Sequence, residues 1–242
     1  MSTHYVAKAI VFKKEDRAEA DRLFTVFTRE FGRIEILGRA IRKITSKLRG
    51  GLEIFSLSDI EFVQGRNRKT LIDAVLVERY KHIAQSPEKM EIAEQVCDAL
   101  SVFIKGQESD NIIWDLVIDF FEKLNSASLE FLNWQLVYHY FFWNLISSLG
   151  YKPELFMCVI CNRALNSLSL YFSFSDGGLV CNDCYFIKKV GFKIQADSVK
   201  VLRIMLKKDW EIMLRLKIKT DCQKDLQKIF ENYHQYLLSV YF

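Results

Sequence analysis

The apolar and polar positions of this chain follow two successive periods. As far as Val77 they alternate or run in short β-branched and aromatic stretches. His4–Lys14 predicts a strand, Leu23–Thr28 a second and Ile34–Leu37 a third, with Ile54–Val63 and Leu71–Val77 as two more. The charged run Glu15–Asp21 reads as a connection, Phe31-Gly32-Arg33 as a turn, and Gln64–Thr70 as a polar hairpin loop. Five short strands predict a small closed barrel of the OB type, an architecture that favours oligonucleotides on one face.

At Ser86-Pro87 the period changes. Serine suits the cap of a helix and proline its first position. Ile92, Ala93, Val96, Cys97, Leu100, Phe103 and Ile104 then recur at helical spacing, up to Gly106. A second helix is expected after Asp110, with Ile113, Leu116, Val117, Phe120, Phe121 and Leu124 on its apolar face. Phe131–Tyr151 carries no formal charge and has the length of a membrane span. Asn133, Gln135, His139, Asn144, Ser147 and Ser148 lie within it, and each would be costly in hydrocarbon. The expectation is therefore a helix buried among other helices, stopped by Gly150, with Pro153 preventing continuation, and no membrane span. Ser198–Lys208 looks helical and Trp210–Ile218 is ambiguous. Thr220-x-x-Gln223 resembles a capping box before the Leu226, Ile229, Phe230, Tyr233, Leu237 and Val240 face of a last helix.

The strongest chemical pattern is Cys158-Val-Ile-Cys161 followed by Cys181-Asn-Asp-Cys184, with the hairpin-like Phe174–Gly178 between them. Each pair bends into a tight turn that aims two sulfurs at one point, and four thiolates satisfy one tetrahedral Zn²⁺. A redox pair, an iron–sulfur cluster and four free thiols are the alternatives. The closed Cys₄ set leaves no position for a catalytic water, so a structural clip is expected, although Arg163, Lys188 and Lys189 flank it. Cys97 and Cys222 read as a core filler and a helix-start residue.

The fold class expected is thus α+β. An N-terminal five-stranded OB-type β-barrel (1–81) is followed by an α-helical domain in two parts (82–155 and 188–242), with a Cys₄ zinc-finger insertion (156–187). Half of the 242 residues are hydrophobic, enough for a substantial core. Net charge is only +4, but it is +6 over 1–81, −7 over 82–157 and +5 over 158–242, so the two ends suit a polyanion and the middle alone does not. Metal-spaced cysteines and a start without a basic and apolar leader pattern point to a reducing cytoplasm.

Arg39, Arg42, Lys43, Lys47 and Arg49 form a stretch free of acids between Glu35 and Glu53, with Arg22, Arg29 and Arg33 just before it. Guanidinium forks and ammonium charges of this kind neutralise phosphates and release counterions. The plain alternative is a solvated loop. Phe24, Phe27 and Phe31 are either base-stacking rings or core. GxxxxGK[ST], HExxH, GxSxG and GxGxxG are all missing from the sequence. Binding rather than catalysis is expected. An RNA-binding zinc-ribbon factor of translation or transcription is the rival reading, with a zinc-containing nuclease behind it.

Arg17-Ala-Glu-Ala-Asp-Arg-Leu-Phe-Thr-Val-Phe-Thr-Arg-Glu-Phe-Gly-Arg33 resembles the N-terminal signature of the bacterial recombination mediator family RecO. Gly38-Arg-Ala-Ile-Arg42 and Leu48-Arg-Gly-Gly-Leu-Glu-Ile-Phe55 continue it in order, and Leu149-Gly-Tyr-Lys-Pro-Glu-Leu155 before Cys158 resembles its entry to the zinc module. The resemblance implies an OB domain, a helical domain and a zinc finger in a protein that binds single- and double-stranded DNA and anneals complementary strands. It implies work with RecR, with the single-strand-binding protein SSB and in many bacteria with RecF, helping RecA load at gaps and breaks, hence a nucleoid-associated place in the cytoplasm. Arg203, Lys207 and Lys208 are a conceivable rim for the acidic SSB tail, against the plain reading of a solvated helix face.

Overall fold

In the computed structural model, residues 3–106, 109–126, 134–165 and 170–241 are described, so the expected start of the third helix at 131–133 lies outside the described residues. The chain forms two units, Met1–Trp134 and Gln135–Phe242.

In the first unit, β1 (His4–Arg17), β2 (Asp21–Thr28), β3 (Gly32–Gly38), β4 (Ser56–Gln64) and β5 (Lys69–Arg79) close a barrel in the order β1-β2-β3-β5-β4. Every neighbour pair is antiparallel except β3 with β5, and β4 closes the ring by pairing back onto β1. Alternation puts Ala7, Ala9 and Val11, Phe24 and Val26, Ile34 and Ile36, Ile60 and Phe62, and Leu71 and Ala74 into one interior cluster. Gly51 lies so close to the β5 backbone that an added Cβ would sit 2.1 Å from the Ala74 carbonyl oxygen, so only glycine fits there.

The outer side of β1 and β2 is apolar for a second reason. Phe12 stacks on Phe27 at 5.8 Å, and Phe27 on Trp114 at 6.0 Å. Trp114 belongs to α3 (Asn111–Asn125), which follows the short α1 (Lys81–Ala84) and α2 (Pro87–Phe103). Phe55 and Tyr80 pack on Phe121 of the same helix. Full burial of rings of this size stabilises by about 1.5–3 kcal/mol each. The caps are those expected: Ser86 accepts from the Lys89 amide, and Asp110 from the amides of Ile112 and Ile113.

Three sequence expectations need correction. The run Glu15–Asp21 is largely strand, because β1 continues to Arg17 and pairs Arg17 with Asp21 across a turn in which Ala18 takes φ +49°. That overhang is mostly charged, so it shows no apolar alternation to read. The fourth strand starts at Ser56 rather than Ile54, because Phe55 is held left-handed at φ +55°. Thr220 is the first residue of the last helix, not its cap.

The second unit is built on α4 (Trp134–Ser148), which is buried on nearly all sides. Gly150 at φ +92° ends it, with the Tyr151 amide bonded back to Ile146 O at 2.8 Å. Among the described residues no helix is long and apolar enough to cross a membrane. Then come β6 (Leu170–Ser173), β7 (Gly178–Cys181), α5 (Asn182–Lys188) and β8 (Phe192–Ile194), the strands pairing in the order β7-β6-β8. The chain closes on α6 (Ala196–Leu206), α7 (Trp210–Arg215) and α8 (Thr220–Tyr241). Phe142 packs edge-on against Phe230 of α8, and Trp143 stacks on Tyr233.

Candidate nucleic-acid interface and metal centre

The β3 strand pairs with β2 along its whole length but with β5 only through Ile36 and Leu37. Its Arg33–Glu35 end therefore borders a gap in the barrel wall, and a cleft of about 790 Å³ opens there. Alternation sends Ile34 and Ile36 into the core and leaves Arg33, Glu35 and Leu37 on the outer face. The rest of the lining comes from Arg17 and Leu23 near the β1–β2 turn, from Gln64, Asn67, Arg68 and Lys69 at the β4–β5 connection, and from Ser101, Ile104, Lys105 and Gly106 at the end of α2.

The cleft is electropositive. Arg17, Arg33, Arg68, Lys69 and Lys105 line it, with Glu35 as the one carboxylate among the lining residues. Arg17 is also paired with Glu15 at 2.8 Å. The Nε of the half-buried Arg33 has no hydrogen-bond partner among the described residues. A buried charged donor without an acceptor is costly. Among the described residues no aromatic ring lines the cleft, so its chemistry suits phosphate more than base stacking.

Of the basic residues singled out from sequence, only Arg33 lines this cleft. Arg22 and Arg42 converge on Asp16, at 2.7 and 3.4 Å. The Arg22 hydrogen bond, followed by the charges of Arg22 and Arg42, holds the Asp16 carboxyl below its ordinary range. Asp21 accepts from the Ala40 amide at 2.8 Å and Ala20 O from the Arg42 amide at 3.0 Å, so the loop after β3 is tied to the β1–β2 turn. Arg29 donates to Asn111 at 3.3 Å. Arg39, Lys43 and Lys47 are exposed and make no ion pair among the described residues. The Arg49 side chain lies outside the described residues. Phe24 is barrel core, Phe27 is covered by Trp114, and Phe31 packs edge-on against Tyr5 and Phe62. Phe24 and Phe27 therefore offer no free face to a base, and Phe31 is half-buried.

The cleft adds Arg17, Arg68, Lys69 and Lys105 to the candidates. Arg68 and Lys69 were legible in principle, since an OB barrel uses its fourth connection for binding. Nothing local marks Lys105, which the end of α2 brings to the barrel. On α6, Arg203 donates to Leu155 O and lies 4.5 Å from the Phe156 ring, while Lys207 and Lys208 are exposed.

In the second unit, the sulfurs of Cys158, Cys161, Cys181 and Cys184 lie within 4.8 Å of one another, and Cys161 and Cys181 are 3.8 Å apart. A tetrahedral ion with thiolate bonds of about 2.3 Å requires a sulfur spacing of about 3.8 Å, so the four residues fit such an ion. Cys161 lies in the first knuckle, while β7 and the first turn of α5 deliver Cys181 and Cys184. The Arg163 Nε donates to the Cys161 sulfur at 3.4 Å and draws that thiol down to about 6. Burial opposes ionisation of Cys158, yet the amides of Cys181, Cys161 and Ile160 bring its thiol below the ordinary range. Burial, then the neighbouring thiols, push Cys184 up to about 12. Cys97 and Cys222 are buried elsewhere, as expected.

Two family models match the chain: Recombination protein O N terminal over residues 1–80, and Recombination protein O C terminal over residues 84–242. A DNA repair protein RecO of Dehalococcoides mccartyi is 29% identical over 92% of this chain and 86% of its own length. The RecO of Caldanaerobacter subterraneus is 27% identical over 93% of this chain and 90% of its own. That of Roseiflexus is 24% identical over 97% and 81%.

Proposed function

The chain belongs to the recombination protein O (RecO) family, and from that premise we propose that it is a DNA-strand-binding mediator of recombinational repair. The observation that carries the reading is the cationic cleft on the open end of β3. A phosphodiester chain laid across it meets the side chains of Arg33, Arg68, Lys69 and Lys105. The exposed Arg39, Lys43 and Lys47 extend the basic surface, Arg49 continues the run in the sequence, and Arg22, Arg29 and Arg42 support it. Neutralising two strands together lowers their mutual repulsion, which promotes annealing.

In this reading the protein binds and positions DNA and makes or breaks no covalent bond. It works with RecR and the acidic C-terminal tail of SSB, and in some settings with RecF, so that RecA loads onto SSB-coated strands at the nucleoid. The metal is one Zn²⁺, whose d¹⁰ shell accepts four thiolates without redox chemistry. When bound it supplies structure. Cys158, Cys161, Cys181 and Cys184 would hold it, and closing that shell fixes β7 and α5 against the knuckle.

The test is annealing of complementary strands, each coated with SSB, with and without the protein. Acceleration that is lost in Arg33→Glu/Arg68→Glu is expected. No acceleration by the unmodified protein overturns the mediator role. A competition between single-stranded DNA and RNA of matched length separates the rival: preference for RNA would indicate a reader of the 2′-hydroxyl.

A further inference from the structure

The metal module carries an exposed apolar tip that its clip role leaves unused. On α5, Cys184 and Tyr185 face the module's interior, while Phe186 is 64% and Ile187 80% exposed. Single exposed apolar residues need no explanation, but these two are adjacent and the aromatic one is held in place. Tyr185 stacks on Tyr171 of β6 with centroids 3.6 Å apart and planes at 7°, and Phe186 packs edge-on against Tyr185 at 5.5 Å. Phe186 is thus held against Tyr185, with most of its surface left to solvent.

The charges around it are mostly positive. Lys188 and Lys189 follow directly, and Lys193 on β8 stands opposite Tyr171 in the sheet. All three are exposed and make no ion pair among the described residues. The nearby Asp183 is already paired with Arg163 at 3.2 Å. An apolar partner would leave these lysines uncompensated at the interface. A single strand matches both halves of the surface, since it offers π-faces for the ring and phosphates at regular intervals for the ammonium groups.

We propose that the tip of the metal module is a second single-strand contact, in which Phe186 stacks on a base and Lys188, Lys189 and Lys193 hold the flanking phosphates. This rests on the reading that the chain works on DNA strands, and adds to the barrel cleft a site of different character. The cleft has charge without rings, whereas the tip has a ring among charges. A duplex keeps its base faces stacked, so the tip contributes to single strands and little to duplex.

The experiment uses the full chain loaded with zinc and oligothymidylate carrying one 5-iodouracil. Irradiation is expected to cross-link the peptide that contains Phe186. Phe186→Ala should weaken single-strand binding by about fivefold or more, with Phe186→Trp restoring it. Lys188→Ala/Lys189→Ala should reduce the slope of log affinity against log salt by about 1.4. All of these side chains are exposed, and zinc content verifies the fold of each variant. Unchanged affinity, an unchanged slope and no cross-link at Phe186 would overturn the inference. So would unchanged strand binding alongside lost binding of a fluorescein-labelled acidic peptide, which would make the tip a peptide dock. An unmodified protein that binds no strand would instead sink the DNA reading as a whole.

Discussion

The side-chain amide of Asn144 on α4 donates to the main-chain carbonyl of Met205 on α6 at 3.0 Å, and also to Tyr140 O at 2.8 Å. A polar group in a nearly apolar helix thus becomes the bond between two helices. Replacing it with leucine removes this bond between the helices, while the Met205 carbonyl keeps the Lys208 amide at 3.1 Å. Asn144→Leu is expected to destabilise the second unit by about 0.5–1.5 kcal/mol. Chemical denaturation followed by the fluorescence of the buried Trp143 measures this.

A second prediction separates Arg33 from cations already engaged elsewhere. Arg33 makes no ion pair among the described residues, whereas Arg22 and Arg42 share Asp16. Arg33→Ala should weaken single-strand binding and reduce its salt slope by about 0.7, one phosphate's worth. Arg22→Ala should do less, because Asp16 already neutralises that guanidinium. Asp16→Asn should raise affinity at low salt by releasing both arginines. Titrations of labelled oligonucleotide at several salt concentrations decide all three.

Much of this architecture was legible because burial imposes a period. The barrel strands alternate where one face is core, and α2 and α3 carry helical spacing where one face packs. The Cys-x-x-Cys pairs were legible because metal geometry dictates their spacing. What failed to read was polar or long-range. The β1 overhang at Glu15–Arg17 is charged and so has no apolar alternation, and the left-handed turn at Phe55 is a tertiary constraint. The cleft is assembled by topology. Arg33 and Arg68 line one cleft where β3 and β5 pair for only two residues, and Lys105 joins the lining through the end of α2. A run of charges such as Arg39–Arg49 is conspicuous in sequence, whereas a ring of charges drawn from four segments is not.

The third prediction concerns the metal centre and pH. A ligand thiol must lose its proton to bind the ion, so the ion is released as pH falls. Arg163 draws the Cys161 thiol down to about 6, which keeps that ligand ionised at neutral pH. Because the folded value lies below the unfolded one, this contribution is present above the unfolded value and lost as pH falls through about 6. Arg163→Ala should therefore shift metal release to higher pH. A chromogenic chelator followed across a pH series gives the midpoint, and an unshifted midpoint would show that Arg163 does not tune the site.

The last prediction comes from a buried histidine. His139 on α4 is 2% exposed and stacks on Phe230 at 4.6 Å, and its Nδ1 has no hydrogen-bond partner among the described residues. Burial pulls its pKa down to about 4 from the ordinary 6.5. The imidazole is therefore neutral in the folded chain at pH values where an unfolded chain would already have bound a proton. Stability from this group is full above the unfolded value and is lost as pH falls from about 6.5 to about 4. The depression amounts to about 3 kcal/mol at about 1.4 kcal/mol per pH unit. His139→Phe keeps an aromatic body against Phe230 and removes the titration. Unfolding free energies measured from pH 7 to 4 should fall less steeply for this variant than for the unmodified chain by about that amount, and parallel curves would mean that the histidine is solvated in solution.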